Sequence, residues 1–279
     1  LENGELRAFD LVGSATLATR ARLDLIESRN VVGRLPGGDA TLADEHVVFT
    51  AHLDHLGIGA PHDGDSIDNG AQDNATGIAT MLESARLLAA GRKPPKRSML
   101  FLALTAEEKG LLGAYHFAAQ PTVPRESLVA NLNMDMPLLI GDVSDVVPIG
   151  IEHSTLEAVA RRAVAEAGLT LTPDPLPEEV VFVRSDQYPF VREGVPAIYL
   201  KSGVTLRDGS DGLALVKEFR SHRYHLPNDD LSQPMHWPAA AQLAHVNHRI
   251  GLAIGNDPAR PAWKPGNFFG EKFGTGRTR

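Results

Sequence analysis

Three apolar stretches of this 279-residue chain each run into groups that can bind a cation or move a proton. Residues 47–51 lead into His52-Leu53-Asp54, residues 98–105 into Glu107-Glu108, and residues 128–134 into Asp135. Carboxylates brought to a buried edge cost roughly several kcal/mol unless a cation or a hydrogen-bond donor compensates them. The chain has no cysteine, so a zinc site here must use imidazole and carboxylate, both of which zinc accepts. In hydrolytic sites with two metals the ions lie about 3.5–4 Å apart and share a carboxylate. Five ligands with one shared then leave each ion an open position for chemistry. Taken singly, each residue has a plainer reading. His52 suits a hydrogen-bonded loop, Glu107-Glu108 a helix start, Asp135 a turn before Pro137, and Asp73 a helix cap. Their joint arrival at strand ends favours the chemical reading.

The elements that must position these groups follow from periodicity and punctuation. Residues 30–35 predict an edge strand before the turn at Pro36-Gly37-Gly38, and residues 46–51 a buried strand. A polar Gly- and Asp-rich loop spans 57–74, long enough to suggest a functional role. Ile78, Met81, Leu82, Ala85, Leu88 and Ala89 recur at helical spacing from Ala75 to about Gly91. A strand at 98–105, a helix at 110–119 and a strand at 128–134 follow. Ser154-Thr155-Leu156-Glu157 has the form of a capping box opening a helix that stops at Gly168. A strand at 197–200 and a helix over 238–254 complete the order. Strands alternating with helices, each strand nearly all apolar, predict an α/β three-layer sandwich around a mostly parallel mixed central sheet. Ligands of such sheets bind at the carboxyl ends of strands. One catalytic domain is expected over 1–279, with 258–279 a loosely packed tail.

With 27 basic and 35 acidic side chains the formal charge is −8, which argues against nucleic acid or an anionic membrane as partner. No run of about 18 apolar residues offers a membrane span. Residues 1–5 have neither the basic start nor the apolar stretch of a signal peptide.

Six motifs occur in order: His52-Leu53-Asp54-His55, Gly70 to Gly77 around Asp73, Thr105-Ala106-Glu107-Glu108, Asn133-Met134-Asp135, Arg184 to Phe190, and Tyr224-His225. Together they resemble the bacterial di-zinc aminopeptidases, secreted leucine-type enzymes of phosphorylase/hydrolase-like α/β fold. The likeness runs from about Asn30 to the Pro258 region. It implies two zinc ions, with Asp73 bridging, His52 and Asp135 completing one site, and Glu108 and His225 the other. It implies Glu107 as general base toward a metal-bridging water, and Asp54 as the carboxylate that fixes the His52 tautomer. It further implies Tyr224 and Arg184 as oxyanion-stabilising groups, although a surface salt bridge is an equally open role for Arg184. The implied substrate is a peptide with a free N-terminus, and the implied location is secreted or periplasmic.

Gln187 stands where that family usually has histidine. A signal peptide and a protease-associated domain, common in relatives, are not visible in this chain, so it is expected to be the catalytic portion of a longer precursor. Two alternatives are a glutaminyl cyclase or carboxypeptidase on the same fold, and a catalytically inactive binding ectodomain. Asn74-Ala75-Thr76 fits a glycosylation sequon but lies beside the bridging position. His55 is expected to line the cleft without being needed as a ligand. Trp237 and Trp263 are expected to pack rather than bind substrate, and residues 203–218 to form a mobile rim.

Overall fold

Apolar and β-branched runs bounded by Gly, Pro and acidic turns become strands, and the runs of helical period between them become the covering layers. The computed structural model describes Asp10 and residues 12–274. Its strands are β1 (Val31–Leu35), β2 (His46–His52), β3 (Gly57–His62), β4 (Asp65–Asp68), β5 (Ser98–Leu104), β6 (Leu128–Asn133), β7 (Asp145–Ile149), β8 (Thr170–Leu171) and β9 (Ala197–Ser202). Its helices are α1 (Thr76–Ala89), α2 (Leu112–Ala119), α3 (Leu156–Glu166), α4 (Gln187–Arg192), α5 (Gly212–His222), α6 (Trp237–Asn256) and α7 (Phe268–Phe273).

Seven strands form one sheet in the order β1-β5-β2-β6-β9-β7-β8. Antiparallel pairing occurs where β1 meets β5 and where β7 meets β9, and the remaining pairs are parallel. All seven residues of the central strand β2 are buried. Side chains alternate across a strand, so Val47, Phe49 and Ala51 pack into one core with residues of α1, α3 and α6. Val48 instead joins Leu100, Leu102 and Leu104 against α2 and Phe190 of α4. This is the expected three-layer α/β sandwich with a mixed, mostly parallel sheet.

Several local expectations need correction. The long loop over 57–74 contains the β3–β4 hairpin, whose Gly and Pro residues hid its strand character. Pro148 likewise masked β7, since proline demotes a strand reading. From Gly212 onward the stretch 203–218 is the start of α5. The capping box does not form: the helix is preceded by Thr155 without a side-chain cap, Ser154 Oγ accepts from Leu156 N at 3.3 Å rather than from Glu157 N, and Glu157 turns to Arg161 and Lys264. Trp237 is exposed rather than packed.

The tail was expected to be loose, and through residue 274 it is docked. Trp263, Phe269 and Phe273 pack on Phe182, Val191 and Tyr199, and Trp263 Nε1 donates to Gly194 O at 2.9 Å. Its aromatic content outweighs its Gly and Pro, because each ring brings a large apolar area to bury. The expectations for residues 1–5 and for 275–279 lie outside the described residues. Among the described residues no helix is long and apolar enough to cross a membrane.

Candidate metal centre

β5, β2 and β6 are adjacent and mutually parallel, so their carboxyl ends deliver Glu107-Glu108, His52 and Asp135 side by side. His52 Nε2 lies 3.2 Å from Asp135 Oδ1 and 3.2 Å from Asp73 Oδ1. The other oxygen of Asp73 faces the second histidine: His225 Nε2 is 3.4 Å from Asp73 Oδ2 and 3.1 Å from Glu108 Oε2. Asp73 thus stands between two imidazoles with one oxygen toward each. His52 and Asp73 are almost fully buried, whereas the His225 side chain is one-third exposed.

Asp73 is held by contacts distant in sequence. Gly70 takes φ 66°, and a Cβ there would meet the His55 ring at 2.7 Å, so only glycine fits the turn before it. Asp229 Oδ2 accepts from Asp73 N at 3.0 Å and both its oxygens accept from Gln72 N. Asn74 ties the same turn to the end of β6: its Nδ2 donates to Met134 O, and its Oδ1 accepts from Gly77 N and Met136 N. Asn74 is buried, which leaves the sequon no room for a glycan.

Asp54 departs from its implied role. His52 Nδ1 meets the Asp54 backbone carbonyl at 3.1 Å, whereas the nearest Asp54 carboxylate oxygen is 3.9 Å away. The carboxylate accepts from Glu107 N and Glu108 N instead, at 3.1 and 3.3 Å. One residue therefore orients His52 through its main chain and the two glutamates through its side chain. Asp135 is held by Ser185 Oγ, which donates to Oδ2 at 2.6 Å, and by Tyr199 Oη, which donates to its carbonyl at 2.6 Å. Gln187 accepts from Asn133 Nδ2 at 2.8 Å and donates to Phe182 O at 2.8 Å. It touches no candidate ligand, as expected from its position.

Glu107, Tyr224 and Arg184 line the same cleft as His52, Asp73 and Asp135. Burial, and then the Asp135 carboxylate, push Glu107 up to about 9. Burial opposes ionisation of Glu108 as well, but His225 and His55 outweigh it and bring that group down to about 2. The Asp73 and Glu108 carboxylates facing its ring raise His225 to about 9. The Tyr224 ring stacks on His225 with centroids 3.8 Å apart, and burial followed by Asp73 raises its phenol. The Arg184 guanidinium reaches the Glu179 carbonyl at 3.1 Å, a contact that neither aims it at a carboxylate nor commits it to a surface salt bridge.

A divalent cation fits this donor set. Ligands held tetrahedrally at about 2.0–2.1 Å from zinc stand roughly 3.3 Å apart, and the four spacings above run from 3.1 to 3.4 Å. His52 Nε2 is hydrogen-bonded to Asp135 Oδ1, whereas His225 Nε2 is buried without a hydrogen bond, so its two contacts are ion-pair distances lacking hydrogen-bond alignment. His52, Asp73 and Asp135 form one cluster of ligand atoms within 4.8 Å of each other, and His55, Asp73 and Glu108 another. His55 is closer to the chemistry than expected: its Nδ1 is 2.9 Å from Glu108 Oε1. Sequence reasoning missed Asn74, Ser185, Tyr199 and Asp229. Only Asn74 and Ser185, which lie inside two of the six motifs but were given no role in the site, had a signal that could have found them.

Comparison with known proteins agrees with this geometry. The model of "Peptidase family M28" matches residues 30–250. Leupeptin-inactivating enzyme 1 of Streptomyces exfoliatus is 28% identical over 178 residues, 62% of this chain and 36% of that protein. The zinc aminopeptidase BSAP of Bacillus subtilis superposes with a TM-score of 0.57 at 22% identity, over 79% of this chain and 49% of that one. A Peptidase M28 precursor from Shewanella amazonensis gives 0.61 at 21% identity, over 85% and 46%. This chain therefore spans about half of each of these solved structures and about a third of the leupeptin-inactivating enzyme.

Proposed function

Because the chain belongs to peptidase family M28, we propose that it is a two-zinc aminopeptidase that hydrolyses the first peptide bond of substrates with a free N-terminus. The observation that carries this reading is Asp73 presenting one oxygen to His52 and the other to His225. His52, Asp135 and Asp73 would hold one zinc, and His225, Glu108 and Asp73 the other. Bound there, zinc supplies Lewis-acid polarisation of the scissile carbonyl and acidifies the attacking water.

Glu107 takes a proton from that water at its carboxylate oxygen as the water's oxygen bonds to the carbonyl carbon. It returns the proton to the amide nitrogen as the C–N bond breaks, releasing the new amine. To accept a proton Glu107 must start ionised. Burial and Asp135 work against that, and the positive charge of a filled site works for it. Asp54 holds the backbone of both glutamates, which fixes the base relative to the scissile bond. Tyr224 and Arg184, at the cleft wall, are assigned to the oxyanion.

Metal analysis of the purified protein, together with paired dipeptides bearing free and acetylated N-termini, tests the proposal. Two zinc ions per chain and cleavage of the free peptides alone are expected. One ion per chain with cyclisation of N-terminal glutamine would replace it by the cyclase reading. Release of C-terminal residues from acetylated peptides would replace it by the carboxypeptidase reading.

A further inference from the structure

A narrow recess opens off the cleft, and Met136, Val181, Lys201 and Arg220 line both. A substrate held at the metal residues can therefore extend a side chain into it. Its walls are largely apolar, with Leu138, Val147, Val204 and Val216 among them. Such walls alone would select an aliphatic residue, but the donors in the recess do not fit that occupant.

Lys201 projects from the carboxyl end of β9, two residues after Tyr199. Among the described residues its ammonium has no carboxylate within ion-pair distance and no hydrogen bond. Its nearest partner is the Tyr199 ring, with Nζ 5.4 Å from the centroid. Arg220 Nε and Ser202 Oγ, which also belong to residues lining the recess, are buried without a hydrogen-bond partner. Neither carboxylate of the lining pairs with Lys201: Glu179 is taken by Arg220 Nη2 at 2.8 Å, which leaves Arg220 Nε free, and Asp174 accepts from Leu176 N at 2.9 Å. Burial, and then Arg220, lower the Lys201 ammonium from its ordinary range, the response of a cation short of a counter-charge. Buried donors left without acceptors are costly, and two of them beside a part-buried ammonium without a counter-ion match the acceptor-only chemistry of a carboxylate.

We propose that Lys201, with Arg220 and Ser202, forms a carboxylate-binding subsite that selects peptides beginning with glutamate or aspartate. The assignment rests on the aminopeptidase reading, and it concerns which N-terminal residue is accepted rather than how the bond is cut.

The test uses the zinc-loaded enzyme with the p-nitroanilides of glutamate, glutamine, leucine and lysine. The parent is expected to favour glutamate over glutamine and leucine in kcat/KM by at least about tenfold. Lys201→Met should bring the glutamate-to-leucine ratio to one or below. Lys201→Arg, which keeps the charge, should retain the preference, and Lys201→Glu should shift it toward lysyl anilide. A purely structural role for Lys201 would lower all rates together without moving the ratio. Turnover of leucine with no glutamate preference in the parent overturns this assignment alone, whatever the variants do. Zinc-loaded protein inert toward every anilide overturns the aminopeptidase reading and this assignment with it.

Discussion

A carboxylate that must accept a proton gains nothing from burial unless positive charge lies beside it, and Glu107 is buried beside Asp135. Replacing it by glutamine keeps the shape and removes the proposed base. Glu107→Gln should lower kcat by about 10²–10⁴-fold, with zinc content unchanged by metal analysis; a variant as fast as the parent would exclude Glu107 as the base. Asp186 supplies a second test at this scale. It is fully buried, neither carboxyl oxygen has a hydrogen-bond partner, and burial is the main cause that pushes it up to about 7. Its folded value lies above the unfolded one, so the fold favours its neutral form. The resulting penalty is absent below the unfolded value and grows as pH rises toward 7. Asp186→Asn should therefore raise the Tm of EDTA-treated protein more at pH 8 than at pH 5. An equal gain at both would show that Asp186 is not protonated in the fold. His52, Glu107, Glu108 and Asp135 were legible as residues because each follows an apolar run directly. Asp229 was not, since it is 156 residues from the Asp73 amide it accepts from.

Among the elements, the junction between the start of α1 and the end of β6 decides whether Asp73 and Asp135 face one another. Gly77 sits in that junction, where a Cβ would meet Met134 O at 2.5 Å and Asn74 Oδ1 at 2.0 Å. Gly77→Ala must push the helix away from the strand. We expect a loss of about 1–3 kcal/mol in urea unfolding and weaker zinc binding by calorimetric titration. Unchanged stability and affinity would mean the junction yields without cost. The strands that position the site were readable because they are central and apolar throughout. β3, β4 and β7 were not, because their Gly, Pro and Asp residues carry turn signals, and β8 is only two residues long and is defined by its pairing with the distant β7.

For the molecule as a whole, the C-terminal segment is part of the packing. Phe269 meets Phe182, His153 and Trp263, and Arg260 donates to the carbonyls of Glu126 and Leu128 at 2.5 and 3.0 Å. This region lies at the amino end of β6, opposite the end that carries Asp135. Phe269→Ala should cost about 1–3 kcal/mol of stability in urea unfolding, less than a fully buried phenylalanine. At protein concentrations and zinc levels that keep it folded, its KM should match the parent. A raised KM at unchanged stability would instead tie the segment to the substrate.

By itself the sequence determined the layer architecture, the three central strands and the order of the motifs, because hydrophobic period and turn chemistry are local and survive without coordinates. It also carried the family, through six short motifs spaced along most of the chain. Only the tertiary structure decided which oxygen of Asp73 faces which histidine, that Asp54 grips two glutamate amides, and that Lys201 stands unpaired beside the cleft. Those are relations between atoms brought together by sheet order and by turns, and one-dimensional spacing holds no record of them.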